Sequence, residues 1–191
     1  MSDPNPSAGR ATARVVFDTL LAAGMTHVIG VPDNGTAAFF GLAAAHPAVV
    51  LLPVTREGEA FAVASGLWVG GCEPVVVIQN TGLLESGDSL RGTAFRMGVP
   101  LLVLIGVRGH GKMVANHRRI GADRAAGRAV QTLKRAEIDS VALLTEPTLR
   151  AWEVPYTSYR TDGDTDRITG AWELARLAGH PAAVLLPFTL L

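Results

Sequence analysis

The chain has 191 residues, 48% hydrophobic and 18% charged, enough apolar side chain for one domain without metal or disulfide staples. Its 17 basic and 17 acidic residues balance, which argues against nucleic-acid binding through excess Lys and Arg, and one cysteine, Cys72, excludes an internal disulfide or Cys-rich zinc site. No run approaches the ~20 apolar residues of a membrane span, and the polar opening MSDPNPSAGR is no secretory signal, so a soluble, cytoplasmic protein is expected.

Residues 1–9 read as a disordered lead and residues 10–191 as a single domain. From Arg10 to Ala23, Val15, Val16, Leu20 and Leu21 form a helical stripe that Gly24 closes. THVIGVP (26–32) is a short buried strand, Thr36 to Ala45 a second helix, and AVVLLPVT (48–55) a second strand. Glu57 to Val69 is helical, PVVVIQN (74–80) is a third strand, and a helix runs from about Leu84 to Met97. PLLVLIGV (100–107) supplies a fourth strand. The basic stretch from Arg108 to Gly127 looks the least ordered inside the fold. Helix resumes through AVQTLKRA and through TEPTLRAW, where Thr145 suits a cap and Pro147 a first turn. EVPYTSY adds a strand, and Asp166 to Ala178 with AAVLLP (182–187) a last helix and strand. Strands apolar on both faces and separated by helices define a three-layer α/β/α fold, a doubly wound parallel sheet.

Ligands of such sheets bind at the carboxyl ends of the strands. The segments there are VPDNG (31–35), TREGEA (55–60), QNTGLLESGD (79–88) and VRGHGK (107–112). Dinucleotide, P-loop and nucleophile-elbow motifs are absent, and the five histidines have no metal spacing. No metal ligand is assigned in this chain. Cys72 lies in a turn at the opposite end and reads as a small packing residue.

The succession GVPD, REGEA at a helix start and QNTG after the next strand resembles the pyrimidine-binding domain of thiamine diphosphate enzymes. The likeness is greatest to 2-oxo acid decarboxylases of the sulfopyruvate and phosphonopyruvate kind. It runs from about Val15 to Gly109 and resumes at TEPTLRAWEVPY and the final helix and strand. The resemblance implies thiamine diphosphate as cofactor and makes Glu57 the catalytic carboxyl that meets the aminopyrimidine ring. A protonated carboxyl there favours the imino tautomer, the base that removes the thiazolium proton. Glu59 is a bystander. Asp33 and Asn34 match a loop that places a polar residue near substrate, with proton relay as the implied role, although Pro-Asp-Asn-Gly also encodes a plain turn. Pro32, Gln79, Asn80, Thr81 and Gly82 are the implied cofactor contacts, and Asn80 or Thr81 also suits a helix cap. Arg108, His110 and His117 follow the fourth strand, where related enzymes carry active-site histidines. With Lys112, Arg118 and Arg119 they suggest a positive field for a small anionic 2-oxo acid, against the plainer reading of a solvated basic loop.

The family's diphosphate-binding motif is missing, since TDGDTD (161–166) reads as a loop and helix start. The resemblance therefore implies a partner subunit that holds the diphosphate and Mg2+, in a hetero-oligomer such as α2β2 or larger. Decarboxylation is the expected reaction. An acyloin- or acetolactate-type carboligase subunit and a non-catalytic scaffold are the alternatives.

Overall fold

The computed structural model describes residues 10–190; the expected disordered lead, residues 1–9, lies outside them. Six parallel strands form one sheet in the order β2-β1-β3-β4-β6-β5: β1 (His27–Gly30), β2 (Val50–Pro53), β3 (Pro74–Gln79), β4 (Leu102–Val107), β5 (Tyr156–Ser158) and β6 (Ala182–Pro187). Alternate residues of the central strands β1, β3, β4 and β6 enter two different cores, which is why these strands read as unbroken apolar runs. Val75, Val77, Leu102, Leu104 and Val184 face α1 (Ala13–Ala22), α2 (Ala37–Ala45) and α10 (Thr165–Ala178) through Phe17, Phe39 and Trp172. Val76, Ile78, Val103, Ile105 and Ala183 face the other layer. That layer holds α3 (Glu57–Val69), α4 (Asn80–Glu85), α5 (Gly87–Ser89) and α9 (Ser140–Ala151). Burial of Phe61 alone contributes about 1.5–3 kcal/mol to fixing α3 on the sheet.

Local chemistry sets the element ends. The Thr12 hydroxyl accepts from the Val15 N–H to start α1, and Gly24, at φ 98°, ends it in a conformation that strains other residues. TDGDTD is a loop and helix start, as its residues predict: the Asp164 carboxylate accepts from the Arg160 and Thr161 amides, which hold it below the usual carboxylate range. The edge strand β5 and the Glu57–Val69 helix also match expectation.

Three expectations need correction. The predicted helix from Leu84 to Met97 begins earlier, at Asn80, and is broken into α4, α5 and a π turn over Leu90–Phe95. The stretch from Arg108 to Gly127 is not irregular: it folds as α6 (His110–Ala115) and α7 (His117–Ala125), and α8 (Ala129–Leu133) follows within the expected AVQTLKRA helix. Its stability comes from charge pairing around Asp123, which a helical apolar pattern does not reveal. Helix α9 starts at Ser140, not near Thr145, because the Asp139 carboxylate caps it through the Val141 and Ala142 amides. Pro147 then falls inside the helix, and Thr145 is buried with its hydroxyl donating to the Val141 carbonyl.

Candidate active site

Strand β1 pairs with β2 on one side and β3 on the other, so the chain leaves β1 toward one helical layer and β3 toward the other. These two exits form the switch point at the carboxyl edge of the sheet, the place where open α/β sheets have their ligand crevice. Gly30 ends β1 so close to the Val77 carbonyl and Phe40 that a Cβ could not be placed there. The loop after β1 is fastened by Asp33, whose Oδ1 accepts from the amides of Gly35 (2.6 Å) and Thr36 (2.9 Å) and from the Thr36 hydroxyl (3.2 Å). The turn reading of Pro-Asp-Asn-Gly is thus realised, and Asp33 Oδ2 faces Gln79 Nε2 across the crevice at 3.5 Å. Pro32 and Asn34 are exposed on the rim. Thr81 is exposed too, its hydroxyl donating to Gln79 Oε1 at 2.9 Å.

Asn80 sits apart from these residues. Its side chain is fully buried, donating to the Arg108 carbonyl (3.1 Å) and Thr145 hydroxyl (3.2 Å) while accepting from the Arg108 amide (3.3 Å). It ties the exit of β3 to the exit of β4 and to α9, which leaves its amide engaged within the fold.

Glu57 and Glu59 part company. Glu59, exposed, reaches back to accept from the amide (3.2 Å) and hydroxyl (3.3 Å) of Thr55, satisfying groups at the start of α3. Glu57 is the first residue of α3 and half-buried, and among the described residues no hydrogen bond or ion pair uses its carboxylate. Its side chain lies along Gly82, where a Cβ would overlap the Glu57 Cγ and carboxyl carbon. Glu85 is a residue that sequence reasoning passed over. Its Oε1 accepts from Arg56 Nε (3.0 Å) and its Oε2 from the Gly58 amide (2.8 Å), the residues on either side of Glu57. The Arg56 guanidinium, and then the Gly58 amide, hold the Glu85 carboxyl below the usual glutamate range. The i,i+3 spacing of Gly82 and Glu85 was visible in the chain; their approach to α3 depends on tertiary packing.

The β4 exit differs from the expected positive loop. Arg108 lies 3.8 Å from Asp139 and Arg119 2.8 Å from Glu137, so two of the cations already have carboxylate partners. His110 is exposed at the rim of a cavity of about 340 Å3, floored by Leu185, Leu186 and Pro187 with Arg160 and Ser158 on its wall. This cavity belongs to the β4–β6–β5 part of the edge, beside the β1–β3 switch point and distinct from it. His117 is exposed beyond it, in a shallow recess with Met113 and Ile120. No group of three or more His, Cys, Asp or Glu side chains among the described residues is arranged to hold a metal ion. No described helix is long and apolar enough to cross a membrane.

The strand order β2-β1-β3-β4 with helices on both faces defines a doubly wound α/β fold whose switch point lies between β1 and β3. The family model "Thiamine pyrophosphate enzyme, N-terminal TPP binding domain" matches residues 10–126, and the chain belongs to that family. Among individual proteins, it is 26% identical over 175 residues to sulfopyruvate decarboxylase subunit alpha of Methanococcus maripaludis, covering 91% of this chain and 93% of that one. It is 36% identical over 90 residues to phosphonopyruvate decarboxylase of Streptomyces viridochromogenes, covering 47% of this chain but only 23% of that protein. The crystal structure of benzoylformate decarboxylase from Polynucleobacter necessarius superposes with a TM-score of 0.63 at 19% identity, over 94% of this chain and 30% of that one. At that identity the likeness concerns the fold.

Proposed function

We propose that this chain supplies the pyrimidine-binding half of a thiamine diphosphate-dependent decarboxylase for a small anionic 2-oxo acid of the sulfopyruvate or phosphonopyruvate kind. The observation that carries this reading is the Glu57 carboxyl: half-buried, without an intramolecular partner among the described residues, and seated where Gly82 keeps the crevice open. A carboxyl so placed suits one ring nitrogen of an aminopyrimidine, a planar group that fits between two strand exits. When bound, thiamine diphosphate supplies the nucleophilic carbon and the electron sink that loss of carbon dioxide needs. Glu57 holds a proton on the pyrimidine nitrogen and so sets the basicity of the amino group. Gln79, held by Thr81 and facing Asp33, lines the opposite wall, with Pro32 and Asn34 at the mouth.

The diphosphate and its Mg2+ are assigned to a partner chain, in a hetero-oligomer of α2β2 type or larger. The support is the match over nearly the full length of a protein described as a subunit alpha. The test is to co-purify the chain with a diphosphate-binding partner and assay carbon dioxide release from sulfopyruvate, phosphonopyruvate and pyruvate, with thiamine diphosphate and Mg2+ present. The complex releases carbon dioxide fastest from one of the two doubly charged acids, the chain alone releases none, and Glu57→Gln lowers kcat by about 10²–10⁴. A rate in Glu57→Gln equal to wild type contradicts the assignment.

A further inference from the structure

We infer that Glu85 is a positioning residue for Glu57, an inference that rests on the reading of Glu57 above. The short helix α4 lays one face along the start of α3, and Gly82 and Glu85, three positions apart, share that face. Gly82 forms the seat of the Glu57 side chain. Glu85 grips the backbone that carries it, taking the Gly58 amide at 2.8 Å on one side of Glu57 and the Arg56 guanidinium at 3.0 Å on the other. A Cβ at Gly58 would meet Glu85 Oε2 at an ordinary 3.5 Å and Ser89 Oγ at a tighter 3.1 Å, so this face of α3 packs closely on α4 and α5.

Stability does not explain the arrangement. The Arg56 side chain is 77% exposed and Glu85 31%, and ion pairs so open to water contribute little to folding. The amide that Glu85 accepts is one of the first-turn N–H groups that water would satisfy equally well. What water cannot do is fix the first residue of a helix, which otherwise frays. A carboxyl that must meet one ring nitrogen loses rate steeply on small displacements, so a second carboxylate that pins both of its neighbours has a function that an exposed pair otherwise lacks. Glu85 also stays ionised well into acid, since Arg56 and the Gly58 amide lower its pKa. The grip is therefore complete above the ordinary glutamate range and is released only as pH falls through the depressed value.

The experiment uses the co-purified complex with thiamine diphosphate and Mg2+, and reads both carbon dioxide release and backbone amide exchange over residues 56–60. In Glu85→Ala, kcat falls by about 10- to 100-fold with KM for the 2-oxo acid unchanged, and exchange over residues 56–60 quickens while the rest of α3 is unaltered. Glu85→Gln keeps an acceptor for Gly58 and loses the charge for Arg56, so its kcat lies between those of wild type and Glu85→Ala. The double variant Glu57→Gln/Glu85→Ala is no slower than Glu57→Gln alone, because a displaced carboxyl is harmless once it no longer works. Multiplicative losses in the double variant, or wild-type kcat in Glu85→Ala beside a crippled Glu57→Gln, overturn the inference alone. Wild-type kcat in Glu57→Gln overturns the reading beneath it.

Discussion

A glutamate in the first turn of a helix usually faces water and the positive end of the helix dipole, as Glu59 does with Thr55 in reach. Glu57 instead turns its side chain onto the first turn of α4, and only a glycine at position 82 leaves room for it. Alanine is intrinsically better than glycine in a helix by about 1 kcal/mol. In Gly82→Ala that gain opposes the displacement of Glu57. The melting temperature of the complex then stays close to wild type while kcat drops by about tenfold or more; a parallel collapse of both would show that Gly82 serves packing instead. Asn80, two residues away, behaves in the opposite sense. Asn80→Ala leaves the Arg108 amide and carbonyl without their side-chain partner, takes one of its bonds from the buried Thr145 hydroxyl, and lowers stability by about 1–3 kcal/mol, measured by urea denaturation. The order of short strings along the chain pointed to Glu57, but nothing local separated Asn80 from Gln79 or Thr81. That distinction depends on which side chain the fold encloses.

The helices after β4 show a different limit of legibility. The strands and the Glu57–Val69 helix were readable because burial imposes a period on the sequence, and β3 and β4 alternate residues between two apolar layers. Segment 110–139 has little apolar periodicity; its Ile120 and Ile138 form only a small cluster with Leu143 of α9, spread over three stretches of chain. What holds it is Asp123, its side chain 5% exposed, between Arg128 (3.0 Å), Arg135 (3.0 Å) and the Thr132 hydroxyl (3.2 Å). Burial works against the Asp123 carboxylate, but hydrogen bonds from Arg135 and Arg128 outweigh it and hold the group below the usual aspartate range. Its contribution to folding is thus full above the ordinary aspartate value and is lost as pH falls through the depressed one. Asp123→Ala leaves two arginines without their shared partner, and residues 110–139 become cleavable by trypsin at neutral pH while the sheet stays resistant. Wild type reaches that state as pH falls through the depressed Asp123 value. Equal resistance of the variant and wild type at neutral pH would mean that the apolar cluster suffices.

The sheet gathers all of the chain's candidate chemistry along one edge and then divides it. On one part lie the β1–β3 crevice and Glu57; on the other, the cavity between β4, β5 and β6 with His110 and Arg160 at its border. With parallel pairing throughout and loops that leave β1 and β3 toward opposite layers, this edge is the surface on which, in the function proposed above, a diphosphate-binding partner would complete the site. The proton assigned to Glu57 in the proposed function can be followed without knowing the 2-oxo acid. In the co-purified complex in deuterated buffer, acid quenching followed by proton NMR gives the rate at which the thiazolium C2 hydrogen of bound thiamine diphosphate is exchanged. Exchange at least about 100-fold slower in Glu57→Gln than in wild type, with the cofactor still bound, is the outcome expected of the proposed function. Equal exchange rates in the two proteins would contradict it.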